Sequence, residues 1–100
     1  MEFEWDEAKR LSNIEKHDVD LLDALLIFES WVFTELDDRF DYGEVRFRST
    51  GMVDDVCYVL IHARRGERTR LISAWQGGRH DRRKYQAGYA RRDQGDEGQG

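Results

Sequence analysis

The spacing of apolar residues changes several times along the chain, and each change predicts a different element. Phe3-Glu4-Trp5 reads as a short extended lead. From Asp6 to about His17 the spacing is helical. Leu11 and Ile14, with Ala8 beside them, mark one side, and Lys9, Asn13 and Lys16 recur at i, i+4, i+7 on a stripe roughly opposite. Asp6 offers the N-cap and Glu7 an acid in the first turn. Lys16 and His17 set positive charge against the negative helix end. Asp20 predicts the cap of a second helix over 21–29, with Asp23 three residues on. Leu21, Leu22, Leu25, Leu26 and Phe28 make that helix nearly all apolar, so it is expected to be the central core element.

Beyond residue 30 the pattern turns to strands. Trp31 to Glu35 is rich in strand formers. A polar stretch, LDDRFDYGE, predicts a loop. Glu44 to Thr50 alternates, with Val45, Phe47 and Ser49 against Glu44, Arg46 and Arg48, which predicts a half-buried strand with a basic outer face. Residues 51–55 connect it to Val56–His62, an apolar run expected at the sheet centre. Residues 64–67 turn into a fourth strand, Arg68 to Trp75, which Gly77-Gly78 ends. A last helix, about Arg79 to Arg91, carries Arg79, Arg82 and Arg83 on one face and Tyr85 and Tyr89 on an adjoining stripe. The Gly-rich acidic segment 93–100 reads as a disordered tail to a single domain over 1–92. The expected architecture is α+β: two N-terminal helices, a four-stranded antiparallel sheet and a C-terminal helix, with helices covering one sheet face.

Composition narrows the class. Hydrophobic residues make up 39% of 100 and aromatics 12%, enough for one core and too much for a disordered chain. No apolar run reaches the ~18 residues that a membrane helix needs. The acidic opening MEFEWDEAKR has no signal-type apolar region, and the single Cys57 allows no internal disulfide and no CxxC zinc cluster. A cytoplasmic protein is the expectation. The net charge of −5 hides an asymmetry. Residues 1–61 hold 6 Lys+Arg against 16 Asp+Glu, whereas residues 62–92 hold 10 against 2. The basic third predicts a polyanion or an acidic partner, unless the two halves neutralise each other within the fold.

The residues also carry a resemblance. Phe3-Glu4-Trp5-Asp6-x-x-Lys9-x-x-x-Asn13-x-x-Lys16-His17 resembles the start of BrnT-type toxins. Gly43-Glu44-x-Arg46-Phe47, Arg70-Leu71-Ile72-Ser73-Ala74 and a basic helix with Tyr85 resemble the rest, so the likeness covers about Phe3 to Tyr85. It implies a type II toxin with a RelE-like fold, a ribonuclease that cuts RNA and inhibits translation. It also implies a BrnA-type antitoxin, with operator DNA bound only through that antitoxin. Asp18 stands where the family usually has Gly, Trp75 where it has Arg, and Asp81 where it has Glu. RelE-like folds also resemble ParE-type toxins, which poison gyrase by binding. A non-nucleolytic binder, or a degenerate toxin kept as co-repressor, are therefore the alternative readings.

Metal-independent RNA cleavage makes the 2′-hydroxyl the nucleophile, so it requires a proton acceptor, a proton donor and cations on the phosphoryl group, but no cofactor. Histidine is the side chain type suited to moving protons near neutral pH, and His17 lies in the matched motif, though a helix-end cap is its plainer role. Arg46 and Arg70 lie in family motifs and are ranked first as phosphate clamps. Tyr85 is the fourth catalytic candidate, with packing of the helix as the alternative. Lys9, Lys16, Arg48, Arg68, Arg79, Arg82 and Arg83 are RNA-binding candidates, and Trp75 is a candidate base-stacking platform, core residue or partner contact. Arg68 and Arg70 are read as sharing a strand face with Ile72 and Ala74. Whether that face is the one bearing Arg46 and Arg48 is left open, because Leu71 and Ile72 are both apolar. His62 is held in reserve as a strand-end packing residue. The acids Glu35, Asp37, Asp38, Asp41 and Glu44 do not match an EF-hand and read as a solvated loop that repels misplaced RNA.

Overall fold

A computed structural model describes residues 1–39 and 41–99, with side chains described as far as Arg92. Five strands and three α-helices form an α+β fold. The strands are β1 (Glu2–Glu4), β2 (Phe33–Leu36), β3 (Arg46–Val53), β4 (Val56–Arg65) and β5 (Arg68–Gln76), side by side in the order β1-β5-β4-β3-β2. The pairs β2–β3, β3–β4 and β4–β5 are antiparallel, as the short connections predict. The fifth strand corrects the expected count of four. The lead at Phe3 pairs in parallel with β5, placing Glu2 opposite Arg68 and Glu4 opposite Arg70. Three residues are too few to show a period, and a partner so far along the chain leaves no local signal.

The first helix, α1 (Glu7–His17), starts where predicted. The Asp6 carboxylate accepts from the Ala8 and Lys9 N–H groups, and Asp18 closes the helix in the left-handed region at φ 56°. Its faces differ from the expectation: Leu11 is 55% exposed and Asn13 only 5%. The predicted second helix is α-helical only as α2 (Leu21–Ala24), then tightens to a 3₁₀ segment at Leu25–Glu29. Leu21, Ala24 and Ile27, all fully buried, are three residues apart, which is the period of a 3₁₀ helix. With Val19, Leu60, Leu71 and Ala74 they form the core between the helices and the sheet. Each fully buried Leu there contributes ~1.5–3 kcal/mol. At Gly51 β3 passes so close that an added Cβ would lie 2.7 Å from the Ile27 Cβ.

One irregularity decides which side chains share a face. Around Ile61/His62 the β4–β5 register shifts: His62 opposes Leu71 and Ile61 opposes Ser73, so Ile72 is an extra residue in a β-bulge. Two adjacent apolar residues were its sequence trace. The bulge puts Arg70 in line with Ala63 and Arg46, Ser73 with Ile61 and Arg48, and Trp75 with Val59 and Thr50. The expected grouping of Arg70 with Ala74 is thereby corrected, since Ala74 faces the helical core with Leu60. The last helix, α3 (Arg79–Gln99), packs on the other face and extends past the predicted Arg91. The side chains of 93–99, and Gly100 entirely, lie outside the described residues, and with them most of the predicted tail.

Candidate functional site

Beyond Glu4, β5 has no strand on its outer edge among the described residues, and α1 fills the gap. The Asn13 amide acts there as a substitute strand. Its Nδ2 donates to the carbonyls of Ala74 and Val19 at 2.8 Å, and its Oδ1 accepts from the Ala74 N–H and the Ser73 Oγ at 3.1 Å. A buried amide pays its desolvation only through such partners. This bonding turns Asn13 inward and fixes the roll of α1. Lys9, Lys16 and His17 then remain exposed on the rim of a cleft of about 260 Å³. Ser12 completes that wall, and Arg46, Ile72 and Ser73 line the opposite side. No carboxylate lines the cleft among the described residues.

Arg46 stacks on Tyr42, its guanidinium carbon 3.9 Å from the ring centroid, and its buried Nε has no acceptor among the described residues. Next along this face is Trp75. The His17 ring lies 5.9 Å from it, and the guanidiniums of Arg39 and Arg48 each lie 5.6 Å from its centroid. Both arginines are tethered. Asp37 accepts from Arg39 Nε at 2.7 Å and Nη2 at 3.1 Å, and also from the Tyr42 hydroxyl at 3.3 Å. Hydrogen bonding from Arg39 holds the Asp37 carboxyl below its ordinary range despite burial. Asp81 accepts from Arg48 Nη2 at 2.5 Å and from the Gly78 N–H at 3.0 Å.

Other predicted site residues lie elsewhere. Arg70 is on the same face as Arg46, but it pairs with Glu4 at 3.2 Å, and Arg68 pairs with Glu2 at 3.7 Å. Arg82 donates to the Asp55 carbonyl at 2.9 Å, whereas Arg79 and Arg83 are exposed at the start of α3. Tyr85 stands outside the cleft, in an aromatic cluster that docks α3, 5.3 Å from Trp31 and 6.0 Å from Tyr89. Burial pushes its phenol pKa up. Gly88 lets this helix approach: a Cβ there would lie 2.8 Å from Phe33 and Trp31. His62 faces a separate apolar hollow of about 360 Å³ on the helical side, packed between Phe47 and Phe28. Its Nε2 lies 2.7 Å from the Ser49 Oγ, and burial lowers its pKa to about 4.

Sequence reasoning missed Ser12, Ser73, Arg39, Tyr42 and Asp37. It also placed Asn13 on the solvent stripe, although a weak helix former in mid-helix was a signal that its side chain had a task. The acidic loop is not simply solvated. Asp37 is buried, Asp41 accepts from the Gly43 N–H at 3.1 Å, and Glu44 pairs with Arg65 at 3.2 Å. Among the described residues no helix is long and apolar enough to cross a membrane. Residues 5–81 match the family model described as "Ribonuclease toxin, BrnT, of type II toxin-antitoxin system". No curated protein matches the chain.

Proposed function

The chain belongs to the BrnT family of ribonuclease toxins of type II toxin–antitoxin systems, and from that premise we propose that the cleft beneath α1 binds an RNA strand and cuts it. The observation that carries this reading is the convergence of Lys9, Lys16, His17 and Arg46 on one hollow without a lining carboxylate. The RNA 2′-hydroxyl attacks the adjacent phosphate to form a 2′,3′-cyclic phosphate, the bond from phosphorus to the 5′-oxygen breaks, and that oxygen takes a proton from water. His17, on the rim, takes the 2′-hydroxyl proton. Arg46, Lys9 and Lys16 hold the charge that grows on the phosphoryl oxygens, and the Ser73 and Ser12 hydroxyls lie within the same hollow. Each positioned proton-transfer group contributes ~10²–10⁴ in rate. Arg79 and Arg83 extend the positive surface along which the strand lies, whereas Arg68 and Arg70 serve the fold. Translation stops because its RNA is cut, in the cytoplasm where that RNA is read.

A type II toxin has an antitoxin partner. We take that partner to be BrnA-type and to cover the cleft, with operator DNA bound through the antitoxin alone. The test compares purified chain with the Arg46→Ala variant on single-stranded RNA and on DNA of the same sequence. RNA fragments with 2′,3′-cyclic phosphate ends, intact DNA and an inactive variant are expected. Uncut RNA after incubation with folded wild-type protein would sink the proposal.

A further inference from the structure

The surroundings of Trp75 are not those of an ordinary core tryptophan. The groups on it are two guanidiniums, from the β2–β3 loop and from β3, and the imidazole of His17 at the cleft. Each guanidinium is held by its own carboxylate. The Asp37 side chain is 1% exposed and that of Asp81 is 13% exposed. Each Arg–Asp pair is neutral, so the ensemble offers N–H donors and a ring face with little net charge. A phosphate is served better by unpaired cations, which lie one step away at Arg46, Lys9 and Lys16. A nucleobase is planar and uncharged and carries acceptors along its edge. It fits a ring flanked by fixed donors.

We propose that Trp75, Arg39 and Arg48 form a seat for one unstacked base of single-stranded RNA, next to the cleft that holds its phosphate. The proposal rests on the RNA-binding reading of that cleft. Paired bases present no free face, so duplex RNA is excluded from the seat and loops or single strands are the substrate class. Asp37 is then a positioning residue for both parts: it fixes Arg39 against Trp75 and Tyr42 beneath Arg46.

The test uses the full chain and a short labelled RNA that is 2′-O-methylated throughout, so that nothing is cut. One abasic site is walked along it and affinity is read by anisotropy. Wild type is expected to show one position where losing the base weakens binding about 10-fold. Trp75→Ala should bind the intact RNA equally weakly and be indifferent to the abasic site there, while Trp75→Phe keeps most of the effect. Fluorescence quenching on binding should persist with Trp5 and Trp31 replaced by Phe and vanish in Trp75→Phe. Asp37→Asn should raise KM through the seat and lower kcat through Arg46 in a cleavage assay. The proposal is overturned if no position is base-sensitive, or if the same position is equally sensitive in Trp75→Ala. It is overturned too if Trp75→Ala loses affinity for the antitoxin alone. A positive scan with uncut natural RNA would instead overturn the nuclease reading and leave the base seat standing.

Discussion

Two hollows of this protein, among those formed by the described residues, lie on opposite faces of the same strands. The one on the helical side is the larger, about 360 Å³, and is lined mainly by apolar groups such as Phe28, Val32 and Phe47. The cleft beneath α1 is the smaller, about 260 Å³, and is rimmed by Lys9, Lys16 and His17 with Arg46 opposite. Adjacent residues of β3 supply both: Phe47 to the first and Arg46 to the second. Size alone would favour the apolar one. What separates them is the chemistry of the lining: the cleft gathers Lys9, Lys16 and Arg46 beside His17, whereas the apolar hollow has the single cationic side chain of Arg64 among mostly apolar ones. His62 adds only a weak base, because burial lowers its pKa to about 4.

That contrast is sharpest where one side chain is removed from the cleft. Arg46→Ala is expected to lower RNA cleavage ~10²–10³-fold, as loss of a preorganised charge stabiliser does. Its melting temperature should stay close to wild type, and single-turnover cleavage with parallel thermal unfolding checks both. Asn13→Ala blurs the contrast by acting on both properties. It leaves the Ala74 N–H and C=O without their side-chain partner, so a loss of ~2–4 kcal/mol in denaturant unfolding is expected. Cleavage should fall with it, because Lys9, Lys16 and His17 lose their placement.

The apolar hollow should respond to acid instead. In the folded state His62 has a pKa near 4, against 6.5 for the free group. The unfolded chain therefore takes up more protons between those values, and stability drops as the pH is lowered from 6.5 towards 4. The full effect is about 3 kcal/mol. His62→Phe should flatten that part of the stability–pH curve in chemical denaturation, with cleavage at neutral pH unchanged. Smallest of all is Arg70→Ala, which breaks a half-exposed pair with Glu4. It should cost ~0.5–1 kcal/mol in stability and leave the cleavage rate within about threefold. A loss as large as that of Arg46→Ala would merge the two arginines into one site.

The comparison also separates what the sequence shows from what it hides. Local signals read well: the Asp6 and Asp20 caps, the hairpins flanking β4 and the basic start of α3 rest on neighbours in the chain. The family motifs singled out Lys9, Lys16 and His17 in one stretch and Arg46 in another, and the fold sets them around one cleft. Long-range pairing read poorly. β1 left no trace of its partner, so Glu4 could not be named as the acid that pairs with Arg70. Parity along β5 failed at Ile72, because a bulge shifts every later side chain to the other face. Asp37 sat in a run of acids whose composition says surface, and only the Arg39 and Tyr42 donors explain its burial. Tyr85 belonged to a helix whose docking is set by Trp31 and by the missing side chain of Gly88.

The anchoring of α1 by Ala74 has a consequence for how this molecule is made. Asn13 and its strand partner are 61 residues apart, so the lysines and the histidine reach their places only after nearly all of the domain has emerged from the ribosome. Contacts this distant close late and slowly during folding. A chain cut short before Ala74 therefore lacks the anchor that sets the roll of α1 and, with it, the placement of Lys9, Lys16 and His17.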